Sequence, residues 1–175
     1  MIHDDDVGKQ SELFDAAIND KAAAIICDNA SSNATVIPAK KAREAGIPTF
    51  MIDREITEKD IAISQIVADN YQGAKGIAEV FVEAMGALTA IKNAGFQGKI
   101  IVIGLDGSDD AAAIKNGTML GTALQQAKTI SETAVEQADT YLKSDKTGKD
   151  EKQLVDCIII TKANVDKLKT FVYTP

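Results

Sequence analysis

The chain has 175 residues, of which 45% are hydrophobic and 26% are charged, and its formal net charge at pH 7 is −7. This length suffices for one domain or two small lobes, and the composition is ordinary for a globular protein. The acidic balance, without any basic run, argues against nucleic acid as a partner. No apolar run approaches the roughly 20 residues of a membrane helix, so no membrane insertion is expected. No signal peptide is visible in this sequence.

The cysteines and the single histidine give no pattern of a metal or catalytic site. Cys27 and Cys157 each lie in an apolar run, and no CxxC spacing occurs. We therefore predict two buried thiols and no metal ion or cofactor. His3 precedes three aspartates at 4–6. Because acidic residues favour helix N-termini, this cluster is predicted to be the solvated start of a helix.

Helices and strands alternate along the first half of the chain. The hydrophobic periodicity predicts, in order, a helix over 4–21, a strand over 22–27, a helix over 33–46, a strand over 47–53 and a strand over about 61–67. Asn70 can cap the next helix, whose apolar stripe continues to about residue 94. That stripe is either one long helix or two segments joined near Gly86.

The second half continues the same alternation. The predicted elements are a strand over 98–107, a helix over 108–117, a strand over 118–126, an amphipathic helix over 127–144, a strand over 153–161 and a short helical tail over 164–171. Ser108 is the predicted cap of the helix that follows the stretch "IIVIGLDG". The predicted buried face of the 127–144 helix carries Ile130, Ala134, Ala138 and Leu142. Phe50 and Met51 are predicted core residues.

Acidic residues follow three of the predicted strands. Strands of continuous apolar character separated by helices are typical of a parallel sheet that is covered on both faces. In such sheets ligands bind beyond the carboxyl ends of the strands. That rule selects Asp28, Asp53 and Asp106, although helix caps also occur at these positions.

An enzymatic role for the stretch around Asp106 finds little support in the sequence. Asp106 and Asp109 give a D-x-x-D spacing, whereas an aspartate-nucleophile phosphatase needs D-x-D and a lysine at a strand end. The glycines at 104 and 107 do not form a G-x-G-x-x-G loop. Lys162 lies past the last predicted strand, which argues against a response-regulator receiver. No enzyme activity is predicted.

Three segments resemble the ribose- and galactose-type sugar-binding proteins of bacterial ABC importers. The first is "FDAAINDKAAAIICDNASSNATVIPAKKAREAGIPTFMIDREI", the second is "VADNYQGAKGIAE" and the third is "ALTAIKNAGFQGKIIVIGLDGSDDAAAIKNGTMLGTALQQ". The resemblance covers nearly the whole chain. It implies an α/β fold of doubly wound parallel sheets in two periplasmic-binding-protein-like lobes, here incomplete.

The resemblance also implies ligand contacts. Asp53 and Arg54 match an Asp-Arg pair in which the carboxylate accepts hydrogen bonds from sugar hydroxyls and the arginine donates. Asp106 matches a ligand aspartate, although Leu105 stands where the family has an aromatic residue. Gln125 matches a hinge glutamine that touches the ligand. Asp28 stands where many members have asparagine.

The implied organisation has two lobes and a gap. Residues 1–69 and 126–153 would form the N-terminal-type lobe without its first strand and helix, 70–86 a crossover helix, 87–124 part of the second lobe, and 154–175 a terminal strand and tail. A segment is expected to be missing near 86/87.

The implied function is capture of a small neutral carbohydrate or polyol by hinge closure and its delivery to a membrane permease. The implied location is periplasmic, or extracellular and lipid-anchored in a Gram-positive cell. The alternative is the effector domain of a LacI-type regulator, which shares the fold.

Overall fold

The computed structural model describes residues 2–93, 103–107, 110–169 and 172–174, and it describes the side chains of these residues except 82–93 and 106. The chain divides into two compact units. Unit 1 comprises Met1–Val67 and Thr129–Val155, and unit 2 comprises Ala68–Lys128 and Asp156–Pro175. The chain therefore passes between the units three times.

Unit 1 is built on a sheet with the strand order β1-β2-β3-β6. Its helices are α1 (Val7–Asn19), α2 (Val36–Glu44) and most of α5 (Ala127–Ser144). Its strands are β1 (Ile25–Asp28), β2 (Thr49–Ile52), β3 (Ser64–Asp69) and β6 (Lys152–Asp156). The pairs β1/β2 and β2/β3 are parallel.

Two adjacent residues of β2 show that helices cover both faces of this sheet. Met51 packs in a cluster with Phe14 of α1 and Ala39 of α2. Phe50 instead makes an edge-to-face ring contact with Tyr141 of α5, with centroids 6.2 Å apart. Because successive strand residues point to opposite faces, α1 and α2 lie on one side and α5 lies on the other. Both Phe50 and Met51 are fully buried, as predicted.

Unit 2 has a three-stranded sheet with the order β4-β5-β7. Its elements are α3 (Asn70–Asn93), β4 (Ile103–Asp106), α4 (Asp110–Asn116), β5 (Gly121–Leu124), β7 (Ile158–Thr161), a 3₁₀ turn at Val165–Lys167, and the hairpin strands β8 (Leu168–Lys169) and β9 (Val172–Tyr173). The pair β4/β5 is parallel and β5/β7 is antiparallel.

Unit 2 is also covered on both faces. Ala123 of β5 faces Gly73 of α3, whereas the next residue, Leu124, packs with Ile114 of α4. The predicted α/β fold with doubly wound parallel sheets is therefore confirmed, with β7 as an antiparallel addition. The described ranges hold no helix that is long and apolar enough to cross a membrane.

The structure corrects three details of the predicted elements. The predicted strand over 153–161 is two strands, β6 and β7, which belong to different sheets and meet at Cys157. The predicted helical tail is a 3₁₀ turn followed by a strand. Leu142 is half exposed and does not belong to the buried face of α5. Apolar periodicity alone does not report where a strand changes sheets.

Other predictions agree with the structure or fall outside the described residues. The apolar stripe after Asn70 forms one continuous helix, α3 (Asn70–Asn93). This continuity does not test whether two segments are joined near Gly86. Both cysteines are buried and free, as predicted. The predicted cap Ser108, residues 98–102 of the predicted strand and residues 170–171 of the predicted tail lie outside the described residues.

Candidate functional site

The carboxyl ends of β1 and β2 bring three of the predicted residues to one edge of the unit 1 sheet. Asp28 is the last residue of β1 and is in register with Ile52, the last residue of β2. Asp53 and Arg54 follow directly. All three side chains are exposed at this edge. Ligands of parallel α/β sheets bind beyond this end of the strands.

The Asp53–Arg54 turn has a tight backbone geometry. Asp53 has φ of 63°, in the left-handed region that side chains other than glycine rarely adopt. The Asp53 amide donates to the Ile66 carbonyl at 3.2 Å, and the Arg54 amide donates back to the Ile52 carbonyl at 2.7 Å. The chain therefore turns sharply at the end of β2 and leaves the Asp53 carboxylate exposed to solvent.

Arg54 is tied to the loop that follows β1. Its Nη1 donates to the carbonyls of Asn29 at 3.0 Å and Ala30 at 3.2 Å. In return, the Asn29 side-chain amide donates to the Arg54 carbonyl. A weak ion pair with Asp5, at 3.9 Å between exposed groups, adds little to stability. Part of the guanidinium that we predict to bind ligand thus also holds the β1–α2 loop.

The electrostatics at this edge disfavour the charged form of Asp28. Partial burial raises the pKa of the Asp28 carboxyl above its ordinary value, and the nearby Asp53 carboxylate raises it further. Arg54 and His3 act in the opposite direction. A site with two adjacent carboxylates and one arginine is suited to neutral hydroxyl groups, because carboxylates accept and the guanidinium donates.

The His3 and aspartate cluster behaves as the predicted helix start. Asp6 is the N-cap of α1, and its side chain accepts from the Lys9 amide. Asp4 pairs with the Lys9 ammonium at 2.7 Å, which lowers the pKa of Asp4. His3 Nε2 contacts the Asp28 carbonyl oxygen at 2.7 Å. No group of three or more metal-ligating side chains occurs in the part of the chain that the structure describes.

In unit 2, Gln125 lies immediately after β5 and contacts the first residue of α3. Its Nε2 donates to the Asn70 Oδ1 at 2.7 Å. Asn70 is not the helix cap that the sequence predicts, because the Asp69 carboxylate takes this role and accepts from the Gln72 amide at 2.8 Å. Gln125 and Asn70 therefore form a neutral amide pair beyond the end of β5.

Asp106 is the last residue of β4 and is in register with Leu124 of β5. The backbone thus places Asp106 at the carboxyl end of its strand, as predicted, while its side chain lies outside the described residues. Leu105, where the family has an aromatic residue, is 47% exposed. The next residue, Gly107, has φ of 81° and allows the sharp turn after the strand.

Unit 1 has two cavities, of which only the smaller reaches a predicted site residue. The larger, of about 870 Å³, is lined by residues that precede β1, β2 and β3 and by the end of α5, so it lies at the amino ends of the strands and includes none of the predicted site residues. The smaller, of about 300 Å³, lies between α1 and β1 and reaches Asp28 and His3. Cavity size therefore does not select the predicted site.

Two buried polar residues next to the site were not singled out from the sequence. Asn29 is fully buried and contacts Arg54, and Gln10 of α1 is 2% exposed. Gln10 accepts from the Ala30 amide at 2.6 Å and donates to Thr35 Oγ1 at 2.7 Å. A polar residue after an apolar strand was the available signal for Asn29. Gln10 gave none, since a glutamine within a helix is usually exposed.

The comparisons with known proteins agree with this architecture. A family model described as a periplasmic binding protein domain matches residues 3–87. A D-apiose import binding protein of Paraburkholderia graminis is 36% identical over 247 residues, which cover 98% of this chain and 79% of that protein. A protein of the same name from Actinobacillus succinogenes is 35% identical, and the match covers 97% of this chain and 79% of that protein.

Solved structures share the fold at lower identity. A periplasmic solute binding protein from Actinobacillus succinogenes with bound D-allose has a TM-score of 0.79 at 19% identity, covering 96% of this chain and 87% of that chain. A Caulobacter myo-inositol binding protein has a TM-score of 0.74 at 21% identity, and the match covers 93% of this chain and 81% of that chain. At these identities the likeness concerns the fold alone.

The alignment to the Paraburkholderia protein is longer than this chain. It spans 247 positions, whereas the chain has 175 residues, so that relative has residues at no fewer than 72 positions where this chain has none. The comparison does not locate this difference, and the predicted gap near 86/87 stays a prediction. With this identity and coverage, the chain belongs to the family of periplasmic sugar-binding proteins of bacterial ABC importers.

Proposed function

We propose that this chain binds a small neutral sugar or polyol and delivers it to the membrane permease of an ABC importer. The observation that carries the proposal is the edge of unit 1, where Asp28, Asp53 and Arg54 meet beyond the ends of two parallel strands. An ionised carboxylate offers about four lone-pair sites and can accept from two neighbouring hydroxyls at once. Charge-assisted hydrogen bonds of this kind are stronger than neutral ones.

Unit 2 holds two further candidate residues. Gln125 offers an amide beyond the end of β5, and Asp106 ends β4 at the corresponding edge of its own sheet. We propose both as ligand residues. Exposed Leu105 offers no aromatic face for a sugar ring, which favours a small ligand. The names of the curated relatives make D-apiose the first candidate.

The proposed location is the periplasm, or the outer face of a Gram-positive membrane through a lipid anchor. The family to which the chain belongs supports this location. Its curated relatives are named as binding proteins, which supports binding without turnover. The LacI-type alternative has no observation in its favour, since the relatives and the structures named above are import or solute-binding proteins.

Calorimetric titration with D-apiose, D-allose and myo-inositol tests the proposal. We expect at least one of them to bind with a Kd in the micromolar range or below. Asp53→Asn should weaken that binding by about 10- to 100-fold, because a hydrogen bond to a charged group contributes about 1.5–3 kcal/mol. Asp139→Asn is the matched control, since Asp139 is an exposed aspartate of α5 that pairs with Lys143.

Two outcomes would overturn the proposal. One is the absence of any heat of binding and of any ligand-induced rise in Tm with all three compounds. The other is binding that Asp53→Asn and Asp139→Asn weaken equally, which would place the ligand away from the edge of unit 1.

A further inference from the structure

Asn29 and Arg54 hold each other by reciprocal hydrogen bonds between side chain and main chain. The Asn29 amide donates to the Arg54 carbonyl, and the Arg54 guanidinium donates to the Asn29 carbonyl at 3.0 Å. The two residues are 25 positions apart and belong to different loops. The pair therefore fastens the loop after β1 to the turn after β2.

The Asn29 side chain is costly to bury. Asn29 is 0% exposed, and its Oδ1 has no hydrogen-bond partner among the described residues. A buried polar atom without a partner destabilises the folded state. A leucine has nearly the same shape and no orphan acceptor, so it would fill the same space and lack only the amide donor. The contribution of Asn29 therefore lies in the one bond that its amide makes to Arg54.

The hydrogen bond from Asn29 stabilises the backbone of the Asp53–Arg54 turn. Asp53 adopts a left-handed conformation, with φ of 63°, which costs energy for a residue with a Cβ, although aspartate tolerates it better than most residues do. Such conformations persist when the surrounding structure fixes them, and they cluster at ligand sites. The Arg54 carbonyl belongs to the residue that directly follows Asp53. The Asn29 amide therefore fixes the backbone directly after Asp53, on the C-terminal side of the turn.

We infer that Asn29 is a positioning residue of the sugar site, which orients the Asp53 carboxylate without touching the ligand. This inference rests on the proposed function of Asp53. The inference predicts that Asn29 matters more for ligand affinity than for stability. Removal of its side-chain amide should weaken ligand binding strongly and lower the stability of the fold only slightly.

The variant Asn29→Leu tests this prediction by calorimetric titration. D-apiose is the probe, and D-allose or myo-inositol replaces it if the wild-type protein binds one of those instead. We expect binding to weaken at least about tenfold, because the Asp53 carboxylate that binds the ligand would lose its orientation. The Tm of the ligand-free protein should change by only a few degrees. Asn29→Ala, which leaves a void instead of a leucine, is the second variant. Asn33→Ala is the control in the same loop, because Asn33 is exposed.

A double-mutant comparison tests whether Asn29 acts through Asp53. In an Asp53→Asn background, Asn29→Leu should weaken binding by less than about threefold, since the oriented carboxylate is already gone. A loss of equal size in both backgrounds would overturn the inference, because it would show an effect on the fold as a whole. Wild-type affinity in both Asn29→Leu and Asn29→Ala would also overturn it. If wild type itself binds none of the three compounds, the proposed function fails, and the inference fails with it.

Discussion

The two units hold the loops at their strand ends in different ways. In unit 1, long-range hydrogen bonds that involve the side chains of Gln10, Asn29 and Arg54 fasten the loop after β1. In unit 2, the turn after β4 requires a glycine, since a Cβ on Gly107 would lie 2.6 Å from Leu124 Cδ1. The loop after β1 is thus fastened by polar groups that can be removed one at a time, whereas the turn after β4 depends on the absence of side-chain atoms at Gly107.

The largest effect is expected from adding one methyl group to unit 2. Gly107→Ala should lower the free energy of unfolding by roughly 2–5 kcal/mol, because the left-handed conformation and the overlap with Leu124 both oppose it. Gly117 has nearly the same φ, 80° against 81°, and open space around its Cβ position. Gly117→Ala should therefore cost only about 1–2 kcal/mol. Urea unfolding measures both, and equal losses would show that packing against Leu124 is unimportant.

Removal of the Asp28 charge in unit 1 should raise the free energy of unfolding, by less than the glycine substitutions lower it. Burial raises the pKa of Asp28 above its ordinary value of 3.8, with a further contribution from Asp53. The folded chain therefore loses stability as pH rises from about 3.8 through the raised pKa, because ionisation costs more in the folded state. Asp28→Asn removes this cost.

Asp28→Asn should thus be more stable than wild type at pH 7, and the difference should vanish as the pH falls to about 3. Because Asp28 is exposed, solvent screening limits the gain to less than about 1 kcal/mol. Urea unfolding of both proteins across this pH range measures the difference. A gain that grows towards low pH would contradict the raised pKa.

The smallest effect concerns the two thiols, one in each unit. Burial, followed by the charge of Asp28, raises the pKa of Cys27 to about 12. Burial, followed by Asp69 and Asp156, raises the pKa of Cys157. Since only the thiolate reacts, iodoacetamide at pH 8 should leave both cysteines of the native protein unmodified and should modify both in urea.

Mass spectrometry of the single variants Cys27→Ala and Cys157→Ala assigns any modification to one unit. Rapid labelling of one cysteine in the native state would show that its unit opens locally and more readily than the other. The two units would then differ in the local stability of their cores as well as in the contacts of their loops.

The sequence by itself determined the alternation of helices and strands, the parallel sheets and the acidic strand ends at Asp28, Asp53 and Asp106. These features are local, because apolar runs of strand length and the polar residue that ends each run can be read from a short window. The resemblance to sugar-binding proteins added Arg54 and Gln125, and the comparisons bear out the family. The roles of these five residues toward a ligand remain predictions.

Tertiary structure decided what each of these residues contacts. Asn29 and Arg54 are distant in sequence and meet only because β1 and β2 pair in register, and Gln125 meets Asn70 because β5 ends where α3 begins. The division of the last predicted strand between two sheets depends in the same way on which neighbours each half finds. Hydrogen bonds between distant segments form only after the fold has placed their donors and acceptors, so a local pattern carries no record of them.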